Sequence, residues 1–304
     1  MGRFLKYSII IAVICIGLGV FATSAGASKG GFAKLKEEIL AGEWSFGVDP
    51  FFDIEEQEFF DENENVSEQV DSLTEYYGTA DFDTIHIKSA GMKVTFQVAE
   101  ADETSIDVVK CGKYQSFLRD GTLYVIMIGE STEDVGDGGV TIVIPETVAN
   151  EGMLAVEVEA GAGIIDLGTL SAFSVEIEVS AGVVEWQYLV ADHLYLDVKA
   201  GAINGQDMDV TGNTQIEMSA GSVTLAGSLG TESEIELTAG KLELSLTEPF
   251  ETYNYDLSCA GGRLSVGEIR LEGLADSEEI DNQATKNMDI ECSAGTVNIN
   301  LLEE

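Results

Sequence analysis

Seven times between Ala160 and Gly295 one short phrase returns: alternating apolar and acidic residues, a small pair, then a second alternation. The clearest copies read VEIEVSAGVVEW, LYLDVKAGAING, EIELTAGKLEL and DIECSAGTVNI. Repetition at a short, fixed period constrains a chain more than local propensity does. Each copy must take one conformation and bury its apolar face against its neighbours. The small residues that precede the repeat glycines are Ala162, Ala181, Ala200, Ala220, Ala239, Gly261 and Ala294, at steps of 19, 19, 20, 19, 22 and 33 residues.

Two residues before these anchors stand Ala160, Val179, Val198, Met218, Leu237, Cys259 and Cys292, and two earlier again Val158, Ile177, Leu196, Ile216, Ile235, Leu257 and Ile290. Alternation of period two marks strands with one buried face. A second short strand follows each glycine, with the Ile203/Gly205 copy the weakest. A 19–20-residue period leaves no room for a substantial helix, and glycine at each corner tolerates positive φ. The expected fold is all-β: a single-stranded parallel β-solenoid (β-helix) over 83–304, each coil stacked on the preceding one about 4.8 Å away. A β-sandwich is the alternative, but it has no reason to repeat one residue type at one register.

The positions between the apolar ones are acidic. Glu159, Glu178, Asp197, Glu217, Glu236, Ser258 and Glu291 form one outward file; Glu157, Glu176, Tyr195, Gln215, Glu234, Asp256 and Asp289 form another. Three readings stay open for this face. It is a solvated, aggregation-resistant surface; a weak multivalent surface for Ca²⁺ or Mg²⁺ through Glu159, Glu178, Asp197, Glu217 and Glu236; or a face for a polycationic partner. No cofactor is otherwise expected, and there is no EF-hand spacing.

Fifteen Lys and Arg against 55 Asp and Glu set the net charge at −40. Such a surface repels nucleic acid, whose binding depends on neutralising phosphates, and it repels anionic lipid headgroups. Tyr7 to Ala27 is an uncharged apolar segment with Arg3 and Lys6 before it. Residues 1–27 therefore read as a single-pass anchor with a cytoplasmic N-terminus, or as a cleaved signal peptide ending near Ala25-Gly26-Ala27. Either way the solenoid is exported. Residues 28–43 read as a juxtamembrane amphipathic helix, and 44–82 as an acidic, aromatic, flexible segment.

Cys259 and Cys292 occupy the same inward register on neighbouring coils. They are expected to be adjacent, either as a disulfide or as buried thiols. Leu123 to Pro145 reads as a hairpin-like layer, 274–287 as a polar loop, and the C-terminal repeat as an incomplete final coil with an acidic cap. His86 and His193, the two histidines, have no nucleophile or metal-ligand constellation around them. Carboxylate pairs recur everywhere and single out no acid/base couple, so no catalytic role is expected; a carbohydrate-active β-helix enzyme is the least favoured reading.

The apolar N-terminal segment, GGF-x-x-L, the acidic aromatic stretch, the repeated S/T-A-G-x-[VL]-x-[LI] phrase and the strand VTIVIPE (140–146) together resemble the bacterial putative-adhesin, β-strand-repeat family of unknown function found in Gram-positive envelope proteins. The resemblance covers about residues 80–304. It implies a β-solenoid, an envelope location, in some members a link to envelope stress, and no catalytic residue. The functional expectation is a non-catalytic, extracytoplasmic interaction or scaffold module with an unknown protein or cell-wall partner. A cation-responsive or stress-linked surface protein is the alternative.

Overall fold

The computed structural model describes residues 60–78, 81–129, 138–272 and 275–301. The expected anchor (1–27), the juxtamembrane helix (28–43) and the start of the acidic segment lie outside these residues. No helix among the described residues is long and apolar enough to cross a membrane.

The chain is all-β. The N-terminal layers comprise β1 (Ser67–Gly78), β2 (Thr84–Ala99), β3 (Glu103–Arg119), β4 (Thr122–Ile128) and β5 (Gly139–Pro145), and a short helix follows, α1 (Glu146–Glu151). The repeats supply β6 (Ala155–Asp166), β7 (Thr169–Val179), β8 (Val183–Trp186), β9 (Tyr188–Val198), β10 (Gly201–Gly205), β11 (Met208–Met218), β12 (Gly221–Gly227), β13 (Glu232–Leu237) and β14 (Lys241–Leu246). The C-terminal part contains β15 (Tyr253–Cys259), β16 (Arg263–Val266), β17 (Ile269–Glu272), β18 (Asp276–Ile280), β19 (Lys286–Cys292) and β20 (Thr296–Asn300).

Successive repeats pair in parallel and in register. Glu157 lies opposite Glu176, Glu176 opposite Tyr195, Tyr195 opposite Gln215, and Gln215 opposite Glu234. A second parallel ladder runs β6–β8–β10–β12–β14. The inward registers merge into one core. Ile177, Leu196, Ile216, Ile235 and Ile290 are buried in one file, and Val184, Ile203, Val223, Leu242 and Val297 in the other. Fully burying side chains of this size stabilises by about 1.5–3 kcal/mol each.

Two mechanisms hold the corner glycines. Gly182 and Gly240 have φ of +140° and +108°, where a Cβ is strained. Gly201 is not among the positive-φ residues, yet a Cβ there would stand 2.8 Å from the Gly182 carbonyl oxygen. Close stacking of backbone on backbone is thus the more general requirement. The weak Ile203/Gly205 copy has a similar origin. Gly205 lies opposite Trp186, and a Cβ on it would be 2.2 Å from the indole. The large residue of one repeat takes the space of the missing side chain in the next.

The order of the last layers departs from the expected sequential stack. β13 pairs with β19, and β19 with β15; β14 pairs with β20, and β20 with β16. The C-terminal repeat is therefore inserted between two earlier ones and is not the terminal layer. The irregular steps of 22 and 33 residues mark the skipped layer and the return to it. The turn after β14 passes through Pro249 and a 3₁₀ turn at Phe250–Thr252. Lys286, at the start of β19, secures it by donating to Glu248 Oε1 (2.7 Å) and the Leu229 carbonyl (2.8 Å). Asn254 accepts from the backbone of Asn282 and Ala284 and donates to the Ala284 carbonyl, each at 3.0 Å, shaping the return loop.

Both ends of the array also depart from a purely parallel expectation. β17 and β18 pair antiparallel with β16 and β15, so 274–287 is not simply a polar loop: β18 closes the last layer with the acidic sequence DSEEI. Charged residues on such an edge discourage further strand addition. At the other end β3 runs antiparallel to β1, β4 and β5, while β4 and β5 both pair parallel with β2. The tight hairpin is β3–β4, not a turn within 123–145. The segment expected to be flexible up to residue 82 contains β1, paired over its length with β3. Tyr114 and Tyr77 fasten this layer through the Glu75 carboxylate and the Ser116 hydroxyl, at 2.8 and 2.6 Å.

Replacing Gly201 with Ala is expected to lower stability by about 1–3 kcal/mol through overpacking, read as a lower urea midpoint at unchanged m. A neutral result would show that the corner has room for a Cβ.

Candidate functional site

The parallel register brings the sequence-predicted acidic residues together. Glu159 lies opposite Glu178, Glu178 opposite Asp197, Asp197 opposite Glu217, and Glu217 opposite Glu236; the file continues through Glu291 to Ser258. The second file reads Glu157, Glu176, Tyr195, Gln215, Glu234, Asp289 and Asp256. Strand pairing is the cause. With period-two alternation, the residues between buried apolar positions must face solvent in every layer.

Neighbouring carboxylates about 5 Å apart repel by about 1 kcal/mol per pair in water. Burial and like charge act together on three of these carboxyls. Partial desolvation, then Glu157 and Glu178, raise the Glu176 carboxyl above its usual 4.5. Desolvation followed by Glu217, Glu234 and Glu291 raises Glu236. Asp289 is raised by desolvation and by Asp256. Tyr195 and Gln215 interrupt the second file with neutral groups, and Gln215 donates to Glu217 Oε1 at 2.8 Å.

The file ends in positive charge at β2. His86 lies opposite Glu157 and Lys88 opposite Glu159. The imidazole contacts Glu157 Oε2 at 3.0 Å through Nδ1 and Glu159 Oε1 at 2.9 Å through Nε2, and Lys88 Nζ reaches Glu159 Oε2 at 3.1 Å. A neutral ring donates from one nitrogen; the imidazolium donates from both. The His86 hydrogen bond, with Lys88 adding to it, holds Glu159 below the usual carboxylate range. Behind His86 stack Tyr124 and Phe117, and Arg119 covers Phe117 at 4.8 Å. The cationic terminus was not foreseen; its signal was the registration of IHIK with VEVE.

The five residues expected to form a cation surface are thus aligned in one file, but they do not converge. Among the described residues no group of three or more His, Cys, Asp or Glu side chains is placed to hold a metal ion. Cys259 and Cys292 are directly opposite in the β15–β19 pair, inward-facing and free thiols. His193 is half exposed, 3.2 Å from Asp192 and edge-on to the exposed Phe173. Met153, 72% exposed, immediately precedes Leu154, whose carbonyl accepts from the Phe173 N–H. Tyr188, also exposed, follows on β9. A shallow hollow beside α1 is lined by Glu100, Ala101, Asp102, Glu146 and Thr147. It offers carboxylates and one hydroxyl, with no base aimed at a nucleophile.

No family model and no curated protein matches the chain. It is similar to a solved structure titled a putative adhesin from Bacteroides fragilis, at 14% identity and a TM-score of 0.34, over 75% of this chain and 96% of that one. It is also similar to a putative cell adhesion protein from Clostridium sporogenes, at 10% identity and a TM-score of 0.32, over 76% and 99% of the two chains. At these values the likeness transfers neither fold nor function to this chain.

The pH dependence has a definite sign. Glu176, Glu236 and Asp289 have raised folded values, so the folded state takes up protons first and gains stability as pH falls toward the carboxylate range. Glu159 is depressed, so its contribution is present above the unfolded value of 4.5 and is lost on further acidification. The urea midpoint is expected to rise from about pH 7 to about pH 5 and then to fall. A midpoint that decreases throughout this range would contradict the ladder electrostatics.

Proposed function

We propose that this chain is a non-catalytic, envelope-anchored, extracytoplasmic β-solenoid that serves as an adhesin-like interaction or scaffold module. One observation carries the reading: successive repeats place mostly acidic side chains at matching registers, so the repeat region offers an extended, repetitive surface. The parallel ladders at 19–20 residues support a solenoid for the repeat region. The exposed Met153, Phe173 and Tyr188 are apolar contact groups on a strongly acidic chain. The apolar, uncharged segment from Tyr7 to Ala27 supports anchoring and export. Both histidines support the non-catalytic reading, because His86 is engaged by two carboxylates and His193 faces solvent beside Asp192.

A second reading has its own observation. Glu176, Glu236 and Asp289 are held above their ordinary values by desolvation and then by neighbouring like charges, and a cation between the carboxylates relieves the second of these. A cation-responsive surface protein would gain stability in proportion to its preference for the folded state. The binding would be weak and distributed along the file of Glu159, Glu178, Asp197, Glu217 and Glu236.

Location is tested by protease treatment of intact protoplasts. The protein should fractionate with the membrane and be digested from outside; full protection would overturn the extracytoplasmic placement. The two readings are separated by adding millimolar Ca²⁺ at constant ionic strength. A gain in melting temperature that shrinks in Glu178→Gln and Glu236→Gln supports the cation-responsive reading. No gain beyond that produced by a monovalent salt removes it and leaves the interaction surface.

A further inference from the structure

The inserted C-terminal layer carries a feature that the acidic face does not explain. Cys259 on β15 and Cys292 on β19 are register partners in a parallel pair. They are 1% and 2% exposed, and both are free thiols. Adjacent strands lie about 4.8 Å apart, within the Cα separation of about 4.4–6.8 Å that a disulfide accepts. The Cys292 sulfur also points toward the layer that contains Cys259. A Cβ on Gly262 would stand 2.9 Å from it, and the Arg263 carbonyl is 4.0 Å away. Cys111 belongs to β3 in the N-terminal layers, where its thiol faces the Lys113 and Ile128 carbonyls. It is separated from this pair by the whole repeat array.

We propose that Cys259 and Cys292 form a modification site, a disulfide latch that fastens the inserted C-terminal layer to the layer stacked on it. The reaction is a thiol–disulfide exchange with a small external disulfide. One cysteine thiolate attacks it and releases one thiol; the second attacks the mixed disulfide and releases another. Two electrons and two protons leave the protein with these two thiols, and one S–S bond forms.

The topology gives the latch its purpose. The chain between the two cysteines comprises β16, β17, β18 and the return loop, so the bridge closes the segment that passes over the end of the array. β15 is synthesised before β19 but must leave a place for it. The bridge fixes β15 and β19 as register partners and ties down the segment that runs between them.

Burial also sets when the latch can close. It pushes the Cys292 thiol up to about 11, with the neighbouring Cys259 thiol contributing. The reactive thiolate is therefore scarce once the core has formed. The bridge closes while the strands assemble, and afterwards the same burial shields it from reductants.

The test is oxidative refolding of the full-length protein in a glutathione redox buffer, followed by intact mass and peptide mapping without reduction. The redox buffer supplies the oxidant, so the result does not depend on the cellular placement proposed above. The expected product has lost two hydrogens and yields a peptide linking Cys259 to Cys292. Its melting temperature should exceed that of the reduced protein by on the order of 5–10 °C, and the Cys259→Ala variant should lose this redox-dependent difference. The mapping uses the wild-type chain and stands even if the variant fails to fold. Free thiols at both positions in the refolded protein, or bridges through Cys15 or Cys111 instead, would overturn the proposal.

Discussion

In-register backbone pairing between repeats is the interaction on which the rest of the structure depends. It is closest at the corners, where Gly182, Gly201 and Gly221 stack with carbonyl oxygens so near that a methyl group would intrude. Each repeat is too short to bury its own apolar face. The hydrogen-bond ladders make one repeat the lid of the next, and the files of Ile, Leu and Val supply the burial that offsets chain entropy. Loss of register at one layer would expose the apolar side chains of that layer.

The same constraint generates the chemistry. Placing like above like turns one acidic residue per repeat into a file of carboxylates; desolvation, with the neighbouring charges adding to it, raises Glu176, Glu236 and Asp289. It also turns one cysteine in each of two repeats into a pair of facing thiols. The repulsion is tolerated because each pair costs little in water and the core beneath is continuous. Where the file meets β2, Lys88 supplies compensating charge and His86 bridges Glu157 and Glu159, which joins the N-terminal layers to the array.

The all-β class, the inward and outward registers and the Cys259–Cys292 adjacency were legible in the sequence, because period-two alternation repeated at constant spacing leaves few arrangements. The layer order was not. Alternation identifies which residues share a face but not which repeat is next to which, and the 22- and 33-residue steps read equally well as an insertion. β1 was hidden by its charge: SEQVDSLTEYYG is mostly exposed, an edge strand whose outward groups mask its pairing with β3. β18 was hidden for the same reason. In the candidate site, the carboxylate files follow from the repeat alone. The His86–Lys88 terminus required knowing that β2, an imperfect copy whose His86 lies 73 residues before Glu159, pairs directly with β6.

The central claim, in-register stacking with the C-terminal repeat inserted, is most directly tested by interstrand amide NOEs in deuterated, ¹⁵N-labelled protein. The account predicts cross-peaks linking 232–237 to 287–292 and linking 253–259 to 286–292, with none between 232–237 and 253–259. Direct cross-peaks between 232–237 and 253–259 would mean that the repeats stack in chain order, and would contradict it.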